Sequence, residues 1–182
     1  MKKVIENFKT LLIALIIAII IRSFLFQPFY IPSSSMQPNL LVGDRIFVSK
    51  YTYGYSKHSF PFSPQIFKGR IFNTRPNYGD LVVFKTPSDN RTDYIKRLVG
   101  FPGDEIQFID GDLYLNKNKL KKTKYNSNQK IWCGKSETEV VFFKENSIDK
   151  KEYNIVYNKI ESMINTDIYK VPNNHYFLLG DN

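Results

Sequence analysis

The 182-residue sequence predicts a mainly β protein, with a single transmembrane helix at the N-terminus followed by an antiparallel β domain that carries an inserted subdomain. Three observations lead there. Leu11 to Ile21 is an unbroken apolar run. Five of the nine glycines are followed by aspartate, and four of these Gly-Asp pairs each precede a short apolar run. Beyond the first segment, no stretch keeps a helical apolar period for three turns.

The N-terminal run is extended past Arg22 and Ser23 by Phe24-Leu25-Phe26, until Pro28 ends the helix. A helix over residues 8–27 is about 30 Å long at 1.5 Å per residue, which matches the hydrocarbon core of a bilayer. A cleavable secretory leader has a similar apolar run behind lysines such as Lys2, Lys3 and Lys9. Here the run is followed by Arg22, Ser23, Phe24, Leu25 and Phe26, with no small-x-small pair for a processing enzyme, so the segment reads as an uncleaved anchor. Residues 1–7 are then a cytoplasmic tail and residues 28–182 a β-rich domain on the other side of the membrane. Arg22, close to the helix end, snorkels to the interface.

The four Gly-Asp pairs are Gly43-Asp44, Gly79-Asp80, Gly103-Asp104 and Gly111-Asp112. They stand before Ile46-Phe47-Val48, Leu81-Val82-Val83-Phe84, Ile106-Gln107-Phe108-Ile109 and Leu113-Tyr114-Leu115. Glycine supplies a positive φ and aspartate closes the turn, so each pair announces a strand. Residues 117–170 are rich in Lys, Asn, Ser and Glu with apolar islands such as Val140-Val141-Phe142-Phe143, and read as a partly exposed insert outside the catalytic layer. Within it, residues 157–164 hint at a short helix. Residues 56–72 place Phe60, Phe62, Ile66, Phe67, Ile71 and Phe72 among prolines, Lys57, Lys68 and Arg70. That is either core packing or an aromatic, basic loop resting on lipid.

Cys133 is the only cysteine, so no intrachain disulfide forms, and a buried free thiol is expected. The formal charge of +9 is spread through Asn- and Ser-rich stretches and forms no stripe along a helix. It argues for a solvated face or anionic lipid headgroups and against nucleic acid.

Two motifs carry chemistry. The first is Pro32-Ser33-Ser34-Ser35-Met36, a few residues beyond the helix; the second is Tyr94-Ile95-Lys96-Arg97, followed by Gly100-Phe101-Pro102-Gly103-Asp104. A serine hydroxyl needs a base to take its proton, and lysine serves only where burial keeps its amine neutral. Ile95, Leu98, Val99 and Phe101 provide apolar neighbours for Lys96. A histidine-based triad has only His58 and His175 to draw on, the first in the aromatic loop and the second entering a strand as a structural residue. No His, Cys and carboxylate cluster has metal-ligand spacing, and the Asn90-Arg91-Thr92 sequon is fortuitous.

These two motifs, at this spacing and behind this helix, resemble the bacterial type I signal peptidases. The resemblance covers the anchor and residues 27–54, 77–110 and 175–182. It implies a membrane-bound serine endopeptidase with a Ser/Lys dyad, in which Ser35 is the nucleophile, Lys96 the general base, and the Ser33 hydroxyl with the Ser35 backbone N–H the oxyanion hole. Ser34 stands where the family commonly has glycine. The implied substrate is a signal peptide of an exported pre-protein, held extended between residues 28–32 and 93–95, with Phe29, Ile31, Pro32, Asp93, Tyr94 and Ile95 as candidate contacts that admit only small side chains. No cofactor and no metal are implied, the other partner is membrane lipid, and the expected location is the bacterial inner membrane with the catalytic domain on the periplasmic side. A self-cleaving repressor-type Ser-Lys protease is the other enzyme reading, and the anchor argues against it. The rival from outside catalysis is a membrane-tethered β-domain that binds signal peptides without cutting them. It is kept because the family motif opening at Gly180-Asp181-Asn182 normally runs on through an arginine to a serine and an aspartate. A chain ending at Asn182 is expected to lack the serine that orients the lysine, and so to have little activity.

Overall fold

The computed structural model describes residues 2–65, 68–133, 136–158 and 165–182, with the backbone alone for 126–129, 132, 133 and 158. It divides into two compact units. The first holds Met1–Tyr30 and Arg45–Pro76, the second Ile31–Asp44 and Asn77–Asn182. The chain therefore leaves the first unit at Ile31, makes a loop that belongs to the second, and returns at Arg45.

In the first unit, α1 (Lys2–Ile20) runs into a wider helical turn, Ile21–Leu25, and the 24 residues from Lys2 to Leu25 are long and apolar enough to cross a membrane once. The helix begins earlier than the apolar run required and stops two residues sooner than expected, because β1 (Phe26–Tyr30) starts at once. Pro28 lacks an N–H and pushes Gln27 to an extended conformation, so strand geometry sets in ahead of the proline. β1 pairs antiparallel with β2 (Arg45–Ser49), and β3 (Tyr55–Ser56) with β4 (Arg70–Ile71). Of the aromatic loop, Phe60 packs edge-on against Phe24 at 5.5 Å between ring centres, whereas Phe62 and Phe72 are fully or largely exposed. Ile66 and Phe67 lie outside the described residues.

The second unit is antiparallel throughout. β5 (Leu81–Lys85), β6 (Asp93–Gly100) and the later β14 (Phe177–Leu179) make one sheet in the order β14-β6-β5. β7 (Glu105–Ile109), β8 (Asp112–Leu115), β9 (Asn118–Lys119) and β13 (Tyr169–Lys170) make a second, and β10 (Lys122–Cys133), β11 (Ser136–Asn146) and β12 (Glu152–Asn158) a third. Val99, Ile106, Leu113, Leu115, Leu120 and Val171 form the core, with Phe177 and Leu179 packed against them. The helical hint at 157–164 is not realised where it is described: Tyr157 and Asn158 belong to β12, and 159–164 lie outside the described residues. So does the side chain of Cys133.

All four Gly-Asp pairs precede strands, namely β2, β5, β7 and β8, and their glycines have φ from 75° to 103°. Three share one construction. The Asp44, Asp80 and Asp104 carboxylates accept the backbone N–H three residues earlier, from Leu41, Asn77 and Phe101. The fourth, Asp112, pairs instead with Lys119 and Lys122.

Glu145 on β11 is 3% exposed; its Oε1 accepts from Tyr153 Oη at 2.7 Å and its Oε2 has no hydrogen-bond partner among the described residues. Burial pushes this carboxyl above the ordinary glutamate value. Ionisation then costs stability, a penalty absent below the unfolded value of about 4.3 and growing as pH rises through the folded one. Glu145→Gln is expected to raise the melting temperature near neutral pH, by about 2–4 °C for each kcal/mol relieved, and to leave it unchanged near pH 4. Thermal melts at the two pH values check this.

Candidate active site

Ser33, Ser34 and Ser35 lie on the loop that the second unit takes from the chain between β1 and β2. The turn after them is closed by Gln37 N–H to Ser34 O at 2.9 Å and Leu40 N–H to Met36 O at 2.9 Å. Met36, 1% exposed, anchors it in the interior. Burying Met36 fixes the turn while leaving Ser35 half-buried and Ser33 exposed. The Ser33 and Ser35 hydroxyl oxygens are 3.3 Å apart. Among the described residues no acceptor takes the Ser35 backbone N–H.

Lys96 is on β6, in register with Val82 of β5. Burial holds its amine below the ordinary lysine value, and the nearby Asp181 carboxylate opposes that shift. No salt bridge reaches it among the described residues. Lys96 and Ser35 meet at Gly180. A Cβ built on that glycine would stand 2.5 Å from the Ser35 carbonyl oxygen and 3.3 Å from Lys96 Nζ. Only a residue without a side chain lets the three backbones and the amine approach this closely.

Arg97, the next residue, faces the other side of β6 because side chains alternate along a strand. It is 4% exposed and fully engaged. Its Nε and Nη2 donate to the two oxygens of Asp181, each at 2.7 Å, its Nη1 donates to Gly79 O at 2.7 Å, and its guanidinium lies 4.0 Å from the centre of the Tyr153 ring. Asp181 also accepts from Asn39 Nδ2 at 2.7 Å and donates its backbone N–H to Ser35 O at 3.1 Å. A cavity of about 230 Å³ opens on the Arg97 side, lined by Glu145, Tyr153 and Leu179 among others; neither Ser35 nor Lys96 lines it.

Of the sequence-derived contacts, Asp93, Tyr94 and Ile95 run along β6 toward Lys96. β6 pairs with β5 over residues 93–97, but β14 reaches it only from Arg97 to Gly100, so, among the described residues, 93–96 have a strand on one side alone. Tyr94 is half exposed and Asp93 is paired with Lys85 at 2.7 Å. Pro32 is exposed beside Ser33, whereas Ile31 is 3% exposed and presents no open surface. Phe29 is half-buried on β1 of the first unit. His58 Nδ1 lies 3.0 Å from Ser63 Oγ within the first unit, and exposed His175 Nδ1 lies 2.9 Å from the Asn173 carbonyl oxygen.

Residues 117–170, expected as a partly exposed insert outside the catalytic layer, reach residues that border the serine turn. Tyr153, Glu145 and Asn154 come from that stretch, and Val156 N–H donates to Asp181 O at 2.8 Å. Their contacts join residues too far apart in sequence for local pattern to show them. Asn39 was missed for the same reason.

Residues 4–182 match the family model described as signal peptidase, peptidase S26. The chain belongs to that family. It is 40% identical over 178 residues to signal peptidase I of Rickettsia conorii, covering 91% of this chain and 64% of that protein. With signal peptidase I of Rickettsia prowazekii it shares 38% identity, covering all of this chain and 70% of that one. With that of Rickettsia bellii strain OSU 85-389 it shares 36%, covering 97% and 63%. The chain thus spans about two thirds of the length of these curated relatives.

Gly180→Ala forces its methyl group against the Ser35 carbonyl oxygen. Overpacking of this kind is expected to cost about 1–3 kcal/mol, read as a lower urea midpoint at unchanged slope.

Proposed function

We propose that this protein is a membrane-bound serine endopeptidase that removes N-terminal signal peptides from exported pre-proteins, with Ser35 as nucleophile and Lys96 as general base. The observation that carries the reading is the convergence on Gly180 of the Ser35 turn and an amine whose pKa burial lowers. Family membership supports the same chemistry.

In this reading the neutral Lys96 amine takes the Ser35 Oγ proton as Oγ attacks the scissile carbonyl carbon. The oxygen that gains the charge accepts from the Ser35 N–H and the Ser33 hydroxyl. The intermediate collapses with the C–N bond breaking, and the Lys96 ammonium returns its proton to the departing amine. Water then attacks the acyl-Ser35 ester, giving its proton to Lys96; the acyl C–Oγ bond breaks, and Lys96 returns that proton to Ser35 Oγ as the acid product leaves. The substrate adds as an extended strand along residues 93–96 of β6, where the edge is unpaired, and Tyr94 and Ile95 limit side-chain size. Pro32 flanks the strand on the other side.

In this reading the Lys2, Lys3 and Lys9 charges favour a cytoplasmic N-terminus, with the β domain on the periplasmic side of the inner membrane. Exposed Phe62 and Phe72 rest on lipid, so a protein lacking residues 1–27 is expected to need detergent or lipid for full activity. Equal activity in plain buffer would remove that contact.

Cleavage of a pre-protein by the full-length protein in detergent tests the dyad. Ser35→Ala, Lys96→Ala and Lys96→Arg are each expected to abolish turnover while leaving the fold intact, the last because a guanidinium keeps its proton. Turnover by Lys96→Arg would remove lysine as the base. Ser33→Ala is expected to lower kcat by about 10² to 10³ with little change in KM. Because the base works unprotonated, kcat/KM rises with pH through the Lys96 pKa, at a midpoint below the ordinary lysine value of about 10.4.

A further inference from the structure

We infer that Asn39 is a positioning residue, which holds the Ser35 turn against the segment that meets Lys96 by bonding Asp181. The inference rests on the Ser35/Lys96 reading above. Asn39 lies four residues after Ser35 on the same loop, and its side-chain amide has two N–H donors. Both are used. Nδ2 lies 2.7 Å from Asp181 Oδ2 and 2.6 Å from the Asn154 carbonyl oxygen on β12.

Asp181 and its neighbour answer from the other side. The Asp181 N–H donates to Ser35 O at 3.1 Å, and Asn182 Nδ2 donates to Ser34 O at 3.2 Å. The nucleophile turn is therefore tied to residues 181 and 182 at three points, two through its backbone carbonyls and one through the Asn39 side chain. Gly180, one residue before, borders both Ser35 and the Lys96 amine. Removing Asn39 leaves the two carbonyl bonds to set the turn alone. In a site of this kind a misplacement of about 1 Å costs roughly 10² in rate.

Asn39 also bears on charge. It donates to a carboxylate whose field acts on Lys96, and it is itself neutral. The titratable and charged groups packed around Asp181 and Lys96 are Arg97 on β6, Glu145 on β11 and Tyr153 on β12. Arg97 already meets Asp181 through two bonds, so a second carboxylate at position 39 has no cation left to pair with there. Its charge favours the protonated amine and moves the acid limb of kcat/KM to higher pH.

The experiment uses the full-length protein in detergent micelles, at equal folded concentration, with a pre-protein substrate. Asn39→Ala is expected to lower kcat about 10- to 100-fold with KM within about twofold, and Asn39→Asp to move the acid limb upward by roughly half a pH unit or more. A part that only braces the fold moves neither the kcat-against-KM split nor the pH limb. Asn39→Ala with kcat within about twofold of the parent overturns the inference, and it decides the matter alone should Asn39→Asp not fold. Ser35→Ala, run beside them, separates the two readings. If Ser35→Ala is inert and Asn39→Ala is normal, only the role of Asn39 falls; if Ser35→Ala still cuts, the dyad falls and the inference with it.

Discussion

The Arg97–Asp181 pair is the constraint on which the second unit turns. The two side chains are 5% and 1% exposed. Taking two charges this far from water costs several kcal/mol for each ion, and their attraction offsets it only where the remaining donors and acceptors are also met. Here they are met from four directions. Gly79 supplies a carbonyl to Nη1, Tyr153 lays its ring against the guanidinium, Asn39 donates to Oδ2, and the backbone of Asp181 bonds Ser35 and Val156. Each requirement of the pair therefore fixes a different piece of chain. Loss of either partner strands the other charge, and the turn before β5, the serine turn and β12 all lose their reference point together.

Neighbours on β6 show how one strand sorts two cations. Arg97 and Lys96 are adjacent, so the alternation of side chains sends them to opposite faces. Arginine keeps its charge under all ordinary conditions and is the residue suited to a bidentate buried pair. Lysine gives up its proton when desolvated, and Lys96 has burial without a salt bridge. The Asp181 charge acts against that deprotonation. Its neutralisation by Arg97 limits the effect, so the structural ion pair and the depressed amine are parts of one electrostatic arrangement.

Legibility in the sequence followed the range of the interactions. The Gly-Asp turns were readable because both partners of each turn lie within four residues, and Asp44, Asp80 and Asp104 close them in the same way. The Ser33–Ser35 and Tyr94–Arg97 motifs were readable as a family pattern, not from composition. Asn39, Glu145 and Tyr153 were not readable. The Asn39 bond to Asp181 spans 142 residues, and Tyr153 sits in a Lys- and Asn-rich stretch whose composition points to a solvated surface. Only pairing of β12 with β11, and of Val156 with Asp181, turns Tyr153 inward. Ile31 differs again: its place one step before Pro32 suggested a substrate wall, and the loop between β1 and β2 buries its side chain while its backbone bonds Asp44 and Gly43.

Neither Ser35 nor Lys96 lines the cavity on the Arg97 side, and the substrate class proposed above accounts for that. A small ligand is recognised by enclosure, but an extended peptide is held by main-chain hydrogen bonds along a strand edge, with side chains alternating into shallow contacts. β6 is built for the second case. Residues 97–100 are buried and pair with β14, which gives Lys96 a rigid seat; residues 93–97 pair with β5 and, among the described residues, 93–96 with β5 alone, which leaves an edge that ends at the amine. In that proposal a peptide strand added there would be delivered in register to Lys96, and Gly180 leaves room for the Ser35 turn beside the amine. In the function proposed above, the end of β14 pairing at Arg97 would set where along a bound chain the cut falls.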